Sequence, residues 1–329
     1  MVRMFLTASV AFLFILAATV HIIWLISMGI GRCFSYHLPY RPFGITSLCL
    51  VAFFTLILAY GFLFGRWNVK TAEQTYINKD IPAAFDGYRL VHISDLHLST
   101  FEDKPDALDK FVDKINALDP DLVCFTGDMV SLSTAELSFG TALKKLKSKD
   151  GVVAVLGNHD FFIYSGMDNE TRRAAVDSVV AFQRDTLGWF TLRNQNVKIE
   201  RGGEHITVIG VDNINGYGQG FKTVSLGDLK KAMEGADGFR ILLSHDPSHW
   251  TSETVPDTDI PLTLSGHTHA AQLRFFGWTP ASWMFDQVYG RYDIGNQTLH
   301  INIGLGCTAP VRIGAYPEID LIILKNKPE

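Results

Sequence analysis

The sequence predicts a layered α/β domain carried behind a two-helix membrane hairpin. Three observations lead there. Two long stretches near the N-terminus contain no charged residue, the remaining chain repeats short Val-, Ile- and Leu-rich runs that each close on polar residues, and helical stretches separate several of those runs. Apolar runs this short fit buried strands, and strands alternating with helices fit a sheet with helices packed on it.

The first element is the hairpin. "FLTASVAFLFILAATVHIIWLISMGI" and "FGITSLCLVAFFTLILAYGFLFG" predict helices over about 5–30 and 43–65, so that residues 1–67 form a membrane anchor. Each is long enough to cross a hydrocarbon core of about 30 Å. A secretory signal has one short apolar core and a cleavage site, and no second span follows it. Trp24 and Trp67 lie near span ends, where indole prefers the interface. His21, inside the first span, reads most simply as a neutral ring packed on the neighbouring helix.

Residues 1–70 hold five basic side chains and no acidic one, while the rest of the chain carries a net charge of −10. Arg3, Arg66 and Lys70 flank the outer span ends, and Arg32 and Arg41 lie in the loop between them. The positive-inside rule therefore leans, by one charge, towards a multi-pass protein of the cell (inner) membrane with its soluble portion in the cytoplasm. The lipid bilayer is the first expected partner. Nucleic acid is not one, because phosphate-backbone binding needs clustered Lys and Arg that an acidic domain does not supply. Cys33 and Cys49 fall in the anchor, Cys124 in an apolar strand and Cys307 in a loop, so no disulfide framework is implied.

Residues 68–87 read as a leading strand, "TAEQTYI", and a turn-rich link, and residues 88–329 as the main domain. The runs "YRLVHI", "LVCF", "VVAVL", "ITVIGV", "RILLS" and "LTLS" are its predicted strands. Pro105–Leu118, Ser133–Lys147 and Thr171–Leu187 are its predicted helices. In sheets of this kind, sites gather at the carboxyl ends of buried strands.

Those ends hold Asp95-X-His97, Gly127-Asp128, Gly157-Asn158-His159-Asp160, His245 and Gly266-His267-X-His269, with five of the chain's eleven histidines. Each piece alone is weak; together they are specific. Mixed carboxylate and imidazole donors without thiolates suit Mn, Fe or Zn, and argue against a structural zinc or iron–sulfur site. Seven candidate ligands are too many for one ion but enough for two that share a carboxylate. Two divalent ions with two aspartates and a bridging hydroxide leave about one positive charge, suited to clamping a phosphate ester.

The order D-X-H, GD, GNHD, H, GHXH resembles that of the calcineurin-like metallophosphoesterases. "HISDLHL", "VLGNHD", "IGVDN", "LLSHDP" and "GLGCTAPVR…PEI" resemble its YkuE-like, membrane-associated branch, from about Tyr88 to Ile319. The resemblance implies a four-layer α/β/β/α sandwich with two metal ions, Mn²⁺ first and Fe, Zn or Mg as alternatives. By motif position, Asp95, His97 and His269 hold one ion, Asp128 bridges, and Asn158, His245 and His267 complete the other. His159 faces the leaving-group oxygen, with Asp160 orienting its ring. Relatives often read GHTHGGQ, where this chain has Ala270 and Ala271.

Other residues invite plainer readings. His92 reads as core, His249 as near the site or at the surface, and His37, His205 and His300 as solvated. Asp212 and Asn213 read as turn residues, and Arg312 as either a phosphate contact or a structural ion pair. The aromatic stretch Phe275–Phe285 is either core or an exposed apolar surface. The expected function is a membrane-anchored hydrolase of a phosphoester or pyrophosphate. Its expected substrate is an amphiphile such as UDP-2,3-diacylglucosamine of lipid A synthesis, which a membrane-anchored relative of this class cleaves. A phosphodiesterase or phosphatase of soluble nucleotides and a non-catalytic metal-binding scaffold are the alternatives.

Overall fold

A computed structural model describes residues 2–215, 224 and 226–327. Two helices, α1 (Val2–Cys33) and α2 (Arg41–Leu63), are long and apolar enough to cross a membrane. They pack as an antiparallel hairpin, with Phe5 stacked on Phe62 and Phe12 edge-on to Phe54.

Beyond the hairpin the chain builds two six-stranded sheets. In chain order the strands are β1 (Lys70–Ile77), β2 (Arg89–Ile93), β3 (Leu122–Phe125), β4 (Val152–Ala154), β5 (Phe190–Thr191) and β6 (Gln195–Arg201). They continue with β7 (Glu204–Gly210), β8 (Phe239–Leu243), β9 (Leu262–Ser265), β10 (Gly290–Ile294), β11 (Gln297–Ile301) and β12 (Glu318–Lys325). The first sheet runs β1-β12-β2-β3-β4-β5 and the second β10-β11-β9-β8-β7-β6. Strands β2 to β5 are parallel, as are β7, β8, β9 and β11. All six runs predicted as strands lie in these central positions. The leading "TAEQTYI" pairs along its length with β12, so the chain leaves the anchor directly into the sheet edge.

Alternation along β2 explains the layering. Leu90 points between the sheets with Leu122, Ile241 and Leu264, while Val91 and Ile93 point to the outer helices. There α3 (Asp106–Ala117) presents Leu108, Phe111, Val112 and Ile115 on one face, with α4 (Asn169–Ala181) beside it. On the far side, Ile209 and Leu242 pack under the short helix Leu229–Ala232, completing the α/β/β/α order with a thin fourth layer.

Two helix predictions change in detail. Ser133–Lys147 is a series of 3₁₀ turns over Thr134–Lys145. Glu136 there accepts the N–H groups of Ser99, Ser131, Leu132 and Ser133, tying the segment to its loops. Thr171–Leu187 starts earlier, at Asn169, because Asp168 caps it by accepting from Glu170 and Thr171 N–H. It ends at Ala181 in a wider turn over Phe182–Thr186.

The end of α2 is seated on the domain. A Cβ on Gly65 would stand 2.0 Å from the Arg312 carbonyl oxygen, and one on Gly61 2.6 Å from Val311 Cγ2, so only glycine permits this approach. Arg312 N–H donates to Gly61 O, Tyr60 Oη meets Tyr316 Oη at 3.1 Å, and buried Arg66 pairs with Asp103.

Candidate metal centre

The loops after β2, β3, β4, β8 and β9 converge at one end of the two central sheets. Asp95, His97, Asp128, His267 and His269 all have positive φ, between 40° and 74°. Such backbone costs about 1–3 kcal/mol per non-glycine residue and persists where surrounding structure over-determines it. Small residues make the convergence possible. A Cβ on Gly157 would stand 2.2 Å from Asp128 Oδ1, and one on Gly266 2.4 Å from Asp95 Oδ2.

The predicted ligands come together as two groups sharing a wall. His97 Nε2 lies 3.1 Å from His269 Nε2, which lies 3.2 Å from Asp95 Oδ1. His245 Nε2 lies 3.2 Å from Asp128 Oδ2 and 3.0 Å from Asn158 Oδ1, and His267 Nδ1 lies 2.9 Å from the same amide oxygen. Asp128 Oδ2 is also 3.6 Å from His97 Nε2, which places this carboxylate between the groups.

Asp95, His97 and His269 form one set of possible metal ligands, and Asp128, His245 and His267 another. Neighbouring ligands held about 2.1 Å from one ion stand about 3.0–3.4 Å apart, which matches these spacings. Imidazole nitrogens facing each other at 3.1 Å, with Asp95 Oδ1 buried and lacking a hydrogen bond, fit a cation rather than a packed core. The donors present therefore fit two divalent ions.

The electrostatics agree. Burial raises the Asp95 carboxyl, but the imidazoles of His269, His245 and His97 outweigh it and hold the group well below its ordinary value. Asp128 is lowered in the same way by His245 and His159 against its own burial. Burial and the nearby His159 push His97 down. Burial opposes the charge on His245, yet Asp128 and Asp95 push it up to about 10, and the same carboxylates would favour a bound cation.

One assignment is corrected. Asp160 does not orient the His159 ring. Its buried carboxylate accepts the N–H groups of Asp128, Met129, Val130 and Gly157 at 2.9–3.1 Å, fixing the loops that carry the ligands. His159 Nδ1 is held instead by the Ser131 carbonyl at 2.9 Å, and Ser131 Oγ meets His97 Nδ1 at 3.1 Å. Ser131 thus positions two imidazoles, and no motif announced it.

Arg312 is too deeply buried to be a phosphate contact, and it forms no ion pair among the described residues. It is fully buried among backbone carbonyls and reaches His269. His300 is not solvated; with His92 and Asp320 it forms a buried group between the sheets, and burial pushes His92 down to about 3. His249 is fully buried, with Nδ1 2.8 Å from Ser244 Oγ. Asp212 pairs with Arg193. Tyr164, unmarked by any motif, receives a hydrogen bond from Asn158 Nδ2 at 3.0 Å and has its ring 4.7 Å from that of His159.

A cavity of about 630 Å³ opens from Asp128, His159 and His267. Its volume is typical of small-molecule sites, about 300–1,000 Å³. The stretch Phe275–Phe285 borders it and is partly exposed: Phe276, Trp278, Trp283 and Met284 face outward, while Ala281 and Phe285 are buried.

A strand-end centre built from one shared carboxylate and facing imidazoles, on paired mixed sheets, defines a dinuclear metal-dependent phosphoesterase. The chain belongs to the calcineurin-like phosphoesterases, whose family profile matches residues 88–271. It is 32% identical over 271 residues to "Uncharacterized metallophosphoesterase YkuE" of Bacillus subtilis, covering 78% of this chain and 86% of that protein. It is 28% identical to "Transmembrane protein with metallophosphoesterase domain" of Danio rerio, covering 85% of this chain but only 63% of that longer protein. It is 29% identical to "UDP-2,3-diacylglucosamine pyrophosphatase LpxG" of Chlamydia trachomatis, covering 84% of this chain and 97% of that protein.

Proposed function

We propose that the chain is a membrane-anchored phosphohydrolase of an amphiphilic phosphoester or pyrophosphate, with UDP-2,3-diacylglucosamine as the first candidate substrate. The observation that carries this reading is Asp128 standing between two ligand groups at the mouth of a largely apolar cavity. The relative named for that pyrophosphate supports the choice of lipid.

Asp95, His97 and His269 would hold one ion and Asn158, His245 and His267 the other, with Asp128 shared. The oxygen and nitrogen donor set favours Mn²⁺, with Fe, Zn or Mg as alternatives. Two such ions supply Lewis acidity towards phosphoryl oxygens and a water made acidic enough to attack at neutral pH.

The chain's own contribution is position and proton handling. Ser131 O engages His159 Nδ1, leaving Nε2 as the nitrogen that would donate a proton to the leaving-group oxygen. Asp160 keeps the Asp128 and Gly157 loops in register, so ligand geometry survives substrate exchange. The one-charge excess of Arg3, Arg66 and Lys70 over Arg32 and Arg41 supports a cytoplasmic domain on a two-span anchor in the cell membrane.

The test is a comparison of kcat/KM on UDP-2,3-diacylglucosamine, its deacylated form and simple mono- and diesters, with protein stripped of metal and then reloaded with Mn²⁺. Activity should require the metal and favour the acylated form. Turnover in the stripped protein would remove the metal assignment, and equal kcat/KM for acylated and deacylated forms would remove the amphiphile.

A further inference from the structure

The cavity does not end within the soluble domain. Asp128, His159 and His267 line it, and so do Leu58 of α2 and Trp283, Met284, Val311 and Ile313. Leu58 belongs to a helix that carries no charge from Pro42 to Leu63 and is long enough to span a membrane, whose neighbouring Leu56 and Leu63 are exposed. We propose that the last turns of α2 form one wall of the substrate site, and that the acyl chain of a membrane-held phosphoester lies against Leu58 while its phosphate reaches Asp128. This rests on the phosphohydrolase reading and adds where the lipid chain lies.

The wall is fixed, not incidental. Gly61 and Gly65 bring the α2 backbone against Val311 and Arg312, and the Tyr60–Tyr316 and Arg66–Asp103 contacts hold it there. Trp283 and Met284 of the cavity wall belong to an exposed apolar group with Phe276 and Trp278, the two indoles edge-on at 5.4 Å. Contiguous apolar surface of this kind marks a lipid or partner contact.

Energetics favour a continuous path. Lifting an alkyl chain from the bilayer through water would slow access about fourfold for every methylene exposed. A groove that begins on a membrane span and finishes at the metal ligands lets the phosphate leave the interface while the chain stays out of water. An anchor acting only as a tether would need no such path.

The experiment uses the full-length protein in dodecyl maltoside with dodecyl phosphate carrying a diazirine at its terminal carbon. Photo-crosslinks should appear in the 273–285 peptide and be displaced by plain dodecyl phosphate but not by dodecanol. Leu58→Trp, which fills the groove, should reduce them at least tenfold, while Leu56→Trp on the outward face of the same helix should not. The same Leu58→Trp protein should lose at least tenfold in the ratio of kcat/KM for dodecyl over ethyl p-nitrophenyl phosphate. Crosslinks that are not displaced, that ignore Leu58→Trp, or that join two copies of the chain would overturn the groove. Saturable crosslinks with no turnover of either ester by the Mn²⁺-loaded protein would keep the groove and remove the phosphohydrolase reading.

Discussion

Arg312 Nη2 lies 3.1 Å from His269 Nδ1, and the same guanidinium donates to the carbonyls of Ile303, Gly304, Gly306 and Ala315. The same residue's backbone N–H donates to Gly61 of α2. One fully buried residue therefore joins the seat of α2, through its backbone, to a candidate metal ligand, through its side chain.

Arg312→Lys should be costly, although it keeps the charge. An ammonium cannot reproduce the planar fork, so several carbonyls would lose their donor. The expected loss is about 3 kcal/mol, read as a lowered unfolding midpoint. Because the Ile303–Gly306 loop that packs against His269 loses its donor, affinity for the first ion should fall about 10–100-fold in a metal titration. Unchanged metal affinity in a folded Arg312→Lys protein would show that the contact with His269 is packing alone.

His159 and Asp160 are neighbours with separable consequences. His159→Ala should lower kcat by about 10²–10⁴ with two metal ions still bound by elemental analysis. Asp160→Asn should act differently, because the lost carboxylate served four backbone N–H groups. It should lower the unfolding midpoint and the metal content together. A selective fall in kcat for Asp160→Asn, with metals and stability intact, would restore it as a partner of the catalytic ring.

What was legible in the sequence was local. The candidate ligands Asp95, His97, Asp128, Asn158, His245, His267 and His269 sit in short strings after apolar runs, and strand direction alone brings such ends together. Residues that act across long separations left no local trace. Ser131 meets His97 and His159 through a carbonyl and a hydroxyl common to any serine. Leu58 is one leucine among many in a long apolar helix, and only the seating of α2 makes it part of a cavity. Asp160 was misread because adjacency in GNHD suggested a side-chain pair, whereas the turn at His159–Phe161 directs its carboxylate back to the Asp128 loop.

Glu318 provides a pH-dependent test away from the metal ligands. Burial, reinforced by the neighbouring Asp320 carboxylate, pushes it from 4.5 up to about 8. The fold thus holds the proton more tightly than the unfolded chain does. The stabilisation is complete below about 4.5 and is lost as pH rises through about 8. Glu318→Gln mimics the neutral form and should escape that loss. The difference in unfolding midpoint between Glu318→Gln and the parent should therefore grow in the variant's favour from pH 5 to pH 9; a constant difference would mean that Glu318 is ionised in the fold.

Ala270 and Ala271 occupy left-handed backbone, with φ of 47° and 48°. This explains why glycine suits the same positions in GHTHGGQ sequences: a Cβ there crowds the following carbonyl, at about 1–2 kcal/mol per residue. The two positions differ in surroundings. Ala270 is fully buried and packs against Ile303 and Ala315, so its methyl partly offsets the strain, whereas Ala271 is exposed beside the cavity. Ala271→Gly should relieve strain without opening a void. Glycine's greater freedom in the unfolded chain subtracts roughly 0.5–1 kcal/mol, leaving a net gain of about 0.5–1 kcal/mol. The gain should appear as a raised unfolding midpoint with unchanged metal content. Ala270→Gly should gain less or lose stability, because it also removes a packed methyl. If Ala271→Gly lowered the midpoint, the left-handed turn after His269 would not be strained.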